Sequence, residues 1–159
     1  MDLDDLDLKI LRLLQGDSRI GQAVLGARVG LSVSAVNARL ARLRKTGAIK
    51  DFSVNLDPLR LGLGLLAFVQ ALLERPEHEK FFLEAVEALD EIQECHHVTG
   101  DFSYLLKVRT RDAAGLEKLL TKLKSIPGLA RTKTVIALSS PKETSRLPLA
   151  PPALEVEEP

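Results

Sequence analysis

The sequence predicts an α+β fold in two parts. Three observations predict it: three short helical periods before Gly47, a change to alternating periodicity just after it, and two successive strand–helix–strand patterns from Leu65 onward. A chain of 159 residues holds one medium domain or two small ones. With 45% hydrophobic residues it can bury a core, and no apolar run approaches the roughly 20 residues of a membrane helix. The acidic start Met1-Asp2-Leu3-Asp4-Asp5 is unlike the basic head of a secretory signal. A lone cysteine, Cys95, excludes an internal disulfide framework and a Cys-rich zinc module, so a soluble cytoplasmic protein without a membrane partner is expected.

The helices come first. Leu3, Leu6, Ile10, Leu13 and Leu14 recur at helical spacing, with Asp4, Asp5 and Asp7 in the first turn, where the helix dipole favours acids. This helix ends near Gly16. Val24, Leu25 and Val29 mark a second helix of about ten residues that stops at Gly30, a residue suited to a left-handed C-cap. Ser32 or Ser34 caps a third, in which Val36, Leu40 and Leu43 fall at i, i+4 and i+7 before Gly47 closes it. Ile49, Phe52, Val54 and Leu56 then face inward against Asp51, Ser53 and Asn55, which predicts a strand or hairpin arm. Three helices, a tight Gly30-Leu31-Ser32 turn and a strand describe a winged helix-turn-helix over residues 1–57. Gly26 sits inside its second helix, where glycine costs up to about 1 kcal/mol relative to alanine. Close packing on the third helix explains it, and so does drift in composition.

Asp57-Pro58, Gly62 and Gly64 break regular structure and make residues 58–64 a linker. Residues 65–138 then read as a ferredoxin-like βαββαβ domain. Its first unit is a strand Leu65–Leu73, a helix His78–Leu89 and a strand Ile92–Thr99. The second is a strand Ser103–Arg109, a helix opened by Asp112 and a strand Ala130–Leu138. Only Gln70 interrupts the first strand, so that strand is buried on both faces. Both helices cover one face of the sheet. A second copy of the chain is the simplest cover for the other, which predicts a homodimer; the alternative cover is the tail, residues 139–159. That tail carries Pro141, Pro148, Pro151, Pro152 and Pro159 and is expected to be partly disordered.

The 22 basic and 22 acidic residues cancel, but they are not evenly spread. From Ser18 to Lys50 there are Arg19, Arg28, Arg39, Arg42, Arg44, Lys45 and Lys50 and no acid, an asymmetry that points to a polyanion. In a winged helix-turn-helix the third helix enters the major groove of double-stranded DNA. With Val36, Leu40 and Leu43 inward, the outward arc holds Ser34, Asn37, Ala38, Arg39, Ala41 and Arg42. Asparagine can pair bidentately with adenine and arginine with guanine, while alanine allows close approach to a thymine methyl. Arg28, Arg44, Lys45 and Lys50 are better placed for phosphates, which position without specifying sequence.

These residues carry a resemblance. Leu3-Asp4-Asp5-Leu6-Asp7-Leu8-Lys9-Ile10-Leu11, Asp17-Ser18-Arg19-Ile20, Arg28-Val29-Gly30-Leu31-Ser32 and Thr46-Gly47-Ala48-Ile49 resemble the DNA-binding half of the leucine-responsive regulatory protein family (Lrp/AsnC, the feast/famine regulators). The run from Glu91 to Lys107, Ser125-Ile126-Pro127-Gly128-Leu129 and Glu143-Thr144-Ser145-Arg146-Leu147 resemble its second half. The resemblance implies a bacterial or archaeal transcription factor, dimeric and often an octamer of four dimers. It also implies a small amino-acid effector at the turn between the second and third strands. Carried over by position, the effector residues are His97, Thr99, Gly100, Asp101, Ser103 and Tyr104, with Phe102 between them. Gly100 lets backbone approach a ligand, and Asp101 can pair with an ammonium. The family pattern has Asp where this chain has Ser103, which removes one natural partner for an amine.

No cofactor, metal or catalytic role is expected. Adjacent strand residues point to opposite faces, so His96 and His97 do not share an ion, and no base stands beside Cys95. Two other readings compete with the sequence-specific regulator. One is a nucleoid-like protein that wraps DNA without a dedicated effector. The other is an enzyme like the tetrapyrrole decarboxylases, whose architecture is similar, although no acid–base constellation accompanies the two histidines.

Overall fold

In the computed structural model, residues 3–149 are described, and they divide into two units. The first unit comprises residues up to Asn55 together with those from Glu143 onward; the second is Leu56–Lys142.

Helix α1 (Asp5–Gly16) opens on a reciprocal cap: the Asp7 backbone N–H donates to Asp4 Oδ1 at 2.7 Å, and the Asp4 N–H donates to Asp7 Oδ2 at 3.2 Å. Two N–H groups that the helix leaves without internal partners are satisfied this way. Helix α2 (Gln22–Val29) stops at Gly30, whose φ of 71° is the left-handed C-cap conformation. Ser32 is the cap of α3 (Val33–Lys45), accepting from the Ala35 N–H at 3.2 Å. Ile10, Leu25, Val29, Val36 and Leu43 form the buried centre of this unit. A Cβ on Gly26 would stand 2.5 Å from the Leu31 carbonyl oxygen and 3.5 Å from a Val36 methyl. The glycine is therefore there for close packing, with the backbone of the turn as the nearest neighbour.

Residues 49–56 form no strand, which corrects the alternating pattern read from the sequence. A strand needs a neighbouring backbone, and none of the described residues offers one here. Of the side chains assigned inward, Ile49 packs against the core of this unit, while Val54 is 80% exposed and Leu56 62%. Phe52 is held instead by Arg44, whose guanidinium lies 4.9 Å from the ring centroid. The segment from Glu143 returns to α1. Gln15 Nε2 donates to the Leu147 carbonyl at 3.2 Å, and the Leu147 N–H donates to Gln15 Oε1 at 2.7 Å. The disorder expected of the tail falls in part on residues 150–159, outside the described residues.

In the second unit, β1 (Leu65–Leu73), α4 (Glu79–Glu87), β2 (Ile92–His97), β3 (Tyr104–Thr110), α5 (Ala113–Lys124) and β4 (Leu129–Ile136) follow the expected order. A 3₁₀ turn, Pro76–His78, leads into α4, and the Asp112 side chain caps α5 by accepting from the Gly115 N–H at 2.8 Å. The four strands make one antiparallel sheet in the order β2-β3-β1-β4. Ala67, Val69, Ala71, Tyr104, Leu106 and Val108 face the helices and are buried with Phe82, Val86, Leu116, Leu119 and Leu123. By the alternation of the strands, Phe68, Leu105 and Val135 occupy the opposite face, beside Glu94, His96 and Lys107.

Gly26→Ala should gain helix propensity and still lose stability. Overpacking against backbone costs about 1–3 kcal/mol, more than alanine returns. Urea unfolding checks this, with Gly16→Ala as the control, because nothing lies within 4 Å of a Cβ at Gly16. Equal midpoints for the two variants would contradict the packing role.

Candidate functional sites

The face of α3 presents Ser34, Asn37, Ala38 and Ala41 to solvent, with Ser34 Oγ 3.0 Å from the cap hydroxyl of Ser32. Arg28 on α2, Lys45 at the end of α3 and Lys50 beyond it are exposed. Arg44 is exposed as well and rests on Phe52. Each of these side chains lies where helical spacing and the turn at Gly30 put it.

Arg39 and Arg42 behave differently. Arg39 Nη1 donates to Asp4 Oδ1 at 2.8 Å, to Asp4 Oδ2 at 2.6 Å and to Asp7 Oδ1 at 2.8 Å. Arg42 Nη2 donates to Asp7 Oδ2. The Asp7 side chain is 0% exposed, Arg39 is 25% and Arg42 is 45%. Hydrogen bonds from Arg39, followed by the Asp7 backbone N–H, hold the Asp4 carboxyl below the usual carboxylate range; the bonds to the Asp4 carboxylate and then to Asp7 raise the pKa of Arg39. Two arginines placed on the outward arc by periodicity are thus tied to the first turn of α1. In the sequence Asp4 and Asp7 read as first-turn acids that complement the helix dipole. Their pairing with residues more than 30 positions away was not visible there.

The loop between β2 and β3 is closed by backbone bonds, Val98 N–H to the Ser103 carbonyl at 2.9 Å and Ser103 N–H to the Ala71 carbonyl at 3.0 Å. Gly100 has a φ of 113°, which favours glycine. Thr99, Gly100 and Asp101 are exposed, and Ser103 is half-buried. Phe102 lies under the guanidinium of Arg131, 4.8 Å from its ring centroid. Tyr104 turns away from this loop into the core. Its hydroxyl donates to the Glu79 carboxylate, and its ring stands 4.9 Å from Phe82 and 5.0 Å from His97. Burial, then Glu79, pushes the Tyr104 pKa up to about 12. Neither Glu79 nor Arg131 carried a local signal, because both arrive from other elements.

His96 lies on the opposite face from His97, with Nε2 3.1 Å from Glu94 Oε2; Lys107 Nζ donates to Glu94 Oε1 at 3.1 Å. Bonds from His96 and Lys107 hold the Glu94 carboxyl low. Burial pushes the Cys95 thiol up, away from the thiolate form a nucleophile needs.

Residues 3–50 match the family described as winged helix-turn-helix DNA-binding, and residues 66–147 match the Lrp/AsnC ligand binding domain. The chain belongs to the Lrp/AsnC family. It is a DNA-binding transcriptional regulator of that type. The leucine-responsive regulatory protein of Escherichia coli strain K12 is 42% identical over 149 residues, covering 92% of this chain and 91% of that protein. A transcriptional regulator of Neisseria meningitidis, solved as a complex with L-Met, superposes with a TM-score of 0.88 at 31% identity over 93% of this chain and 97% of that one. The feast or famine regulatory protein of M. tuberculosis, complexed with L-methionine, gives 0.87 at 33% identity, over 94% of this chain and 100% of that one.

The Asp4 contribution to stability is fully present above the unfolded carboxyl value near about 3.9 and is lost as pH falls through the lower folded value. Asp4→Asn should therefore lower stability at neutral pH and flatten its decline between about pH 5 and 2. Thermal melts across that range read the difference, and a parallel displacement of the whole curve would contradict the assignment.

Proposed function

We propose that the protein is a homodimeric, sequence-specific regulator that reads a roughly palindromic DNA site through α3 and responds to a small amino-acid effector held at loop 99–103. The observation that carries the DNA part is the exposed face Ser34, Asn37, Ala38 and Ala41, presented directly after the Gly30 turn. Arg28, Lys45 and Lys50 flank that face, in a stretch without acids. Two recognition helices related by a twofold axis suit a palindrome. Phe68, Leu105 and Val135 on the sheet face away from the helices support the dimer, and the family resemblance supports further assembly to an octamer.

For the effector, the exposed backbone at Gly100 and the Asp101 carboxylate fit the carboxylate and ammonium of an amino acid. The regulators of N. meningitidis and M. tuberculosis that were solved with methionine give the same ligand class. Ser103 offers no charge, so the ammonium is left to Asp101. We read the chain as non-enzymatic, since its matched relatives are regulators. A regulator of chromosomal DNA works in the cytoplasm.

Lys45→Ala and Lys50→Ala should weaken binding to operator and to random DNA alike, and each should reduce the slope of log affinity against log salt by about 0.9. An unchanged slope removes that lysine from the phosphate contacts. Calorimetry with the twenty amino acids, run beside mass measurement in solution, tests the effector and the assembly together. Binding should appear for at least one amino acid, should tighten in Ser103→Asp, and should be abolished in Asp101→Ala. No heat in either the parent or Ser103→Asp would reject the effector, and a monomer mass throughout would reject the dimer.

A further inference from the structure

Asp7 is a buried carboxylate in the DNA-binding unit, and nothing in the reading above uses it. Its two oxygens accept from different partners: Oδ1 takes Arg39 Nη1 at 2.8 Å, while Oδ2 takes Arg42 Nη2 and, at 3.2 Å, the Asp4 N–H. Arg39 is spread over both carboxylates, since the same Nη1 also meets Asp4 at 2.6 Å. Arg39 is thus held by two carboxylates at once and is the more enclosed of the two arginines, with its side chain 25% exposed. Arg42 differs. It makes a single bond to Asp7 through one terminal nitrogen and keeps 45% of its side chain open. A guanidinium carries five N–H donors in a rigid fork, so a bond through one terminal nitrogen tethers the group at that end and leaves its remaining donors for another partner.

We propose that Asp7 is a positioning residue for DNA recognition, orienting the Arg42 guanidinium on the outer face of α3 while Arg39 acts as the tie between α1 and α3 and touches no base. This rests on α3 being the reading helix. The division of labour between the two arginines follows from their carboxylate partners, not from their place on the helical wheel, where both point outward. Orientation matters because bidentate pairing with guanine needs two N–H groups aimed together at O6 and N7. A buried carboxylate behind the fork removes the rotamer freedom that a long exposed side chain otherwise loses on binding. Arranged this way, the base contact is built before the DNA arrives.

The experiment is a double-mutant cycle, Asp7→Asn crossed with Arg42→Ala, read as base preference in a selection of bound DNA and as the salt slope of binding. Arg42→Ala should lower discrimination at one base pair of each half-site by about 10–100-fold. Asp7→Asn should lower it at the same pair, with the salt slope unchanged, and should have no further effect on preference in the Arg42→Ala background. Additive losses would overturn the proposal, because a merely structural Asp7 would act without Arg42. Arg42→Lys, which keeps the charge at an exposed position and so the fold, should lose the preference and keep the slope; retained preference overturns the proposal even where Asp7→Asn does not fold. Arg39→Lys should change melting temperature but not base preference, and lost preference there overturns its role as a tie. Asn37→Ala separates the two levels. If it changes base preference while the Asp7 and Arg42 variants do not, the positioning is wrong and the reading helix stands; if none of them does, α3 is not the reader.

Discussion

The trihelical unit depends on one buried carboxylate. Asp7 has no exposed side-chain surface, and an ionised group in that position is tolerated only when it is paired and hydrogen-bonded. It is satisfied from three directions: the Asp4 N–H, Arg39 and Arg42. Helix capping and helix packing are thereby the same set of bonds. Removing one partner leaves the buried charge less compensated, a loss that solvent moderates because Arg39 and Arg42 are themselves 25% and 45% exposed. The first turn of α1 is therefore not free to fray, although exposed N-terminal turns usually are.

That arrangement also shows where sequence reasoning works and where it stops. The three helices, the caps at Gly30 and Asp112, the strand Leu65–Leu73 and the βαββαβ order follow from local spacing, because the chemistry that fixes them lies within a few residues. Asp4, Asp5 and Asp7 read locally as acids complementing a helix dipole, which is true of their position and silent about their partners. The arginines they hold lie on a helix two elements later. The alternation of Phe52, Val54 and Leu56 failed as a strand signal for a related reason. Periodicity describes a side chain's direction along its own backbone, while a strand also requires a neighbour to bond with. Gly26 went the other way: two explanations stood level until the Leu31 carbonyl was placed where a Cβ would be.

The loop between β2 and β3 was legible as a loop. Gly100, Asp101 and Ser103 sit where position in the chain puts them, with backbone bonds setting the turn. Tyr104 was grouped with them by the family resemblance, carried over by position. One residue along a strand reverses the direction of the side chain, and that reversal turns the Tyr104 ring into the core and its hydroxyl to Glu79 at the start of α4. The zero net charge hides a stretch from Ser18 to Lys50 that carries seven basic residues and no acid. Arg39 and Arg42 are paired with Asp4 and Asp7, so the cations left to meet phosphates are fewer than that stretch contains and non-specific attraction is weaker than the stretch by itself implies.

The two hydrogen bonds between Gln15 and Leu147 have a consequence for how the chain is made. They join residues 132 apart, so the unit that contains α1 draws on both ends of the polypeptide. On a ribosome, the helices up to Lys45 emerge first and can close their core from short-range contacts. The strap around Gln15 is then added only after the whole sheet has been synthesised, so the DNA-binding unit, begun before the sheet, is completed after it.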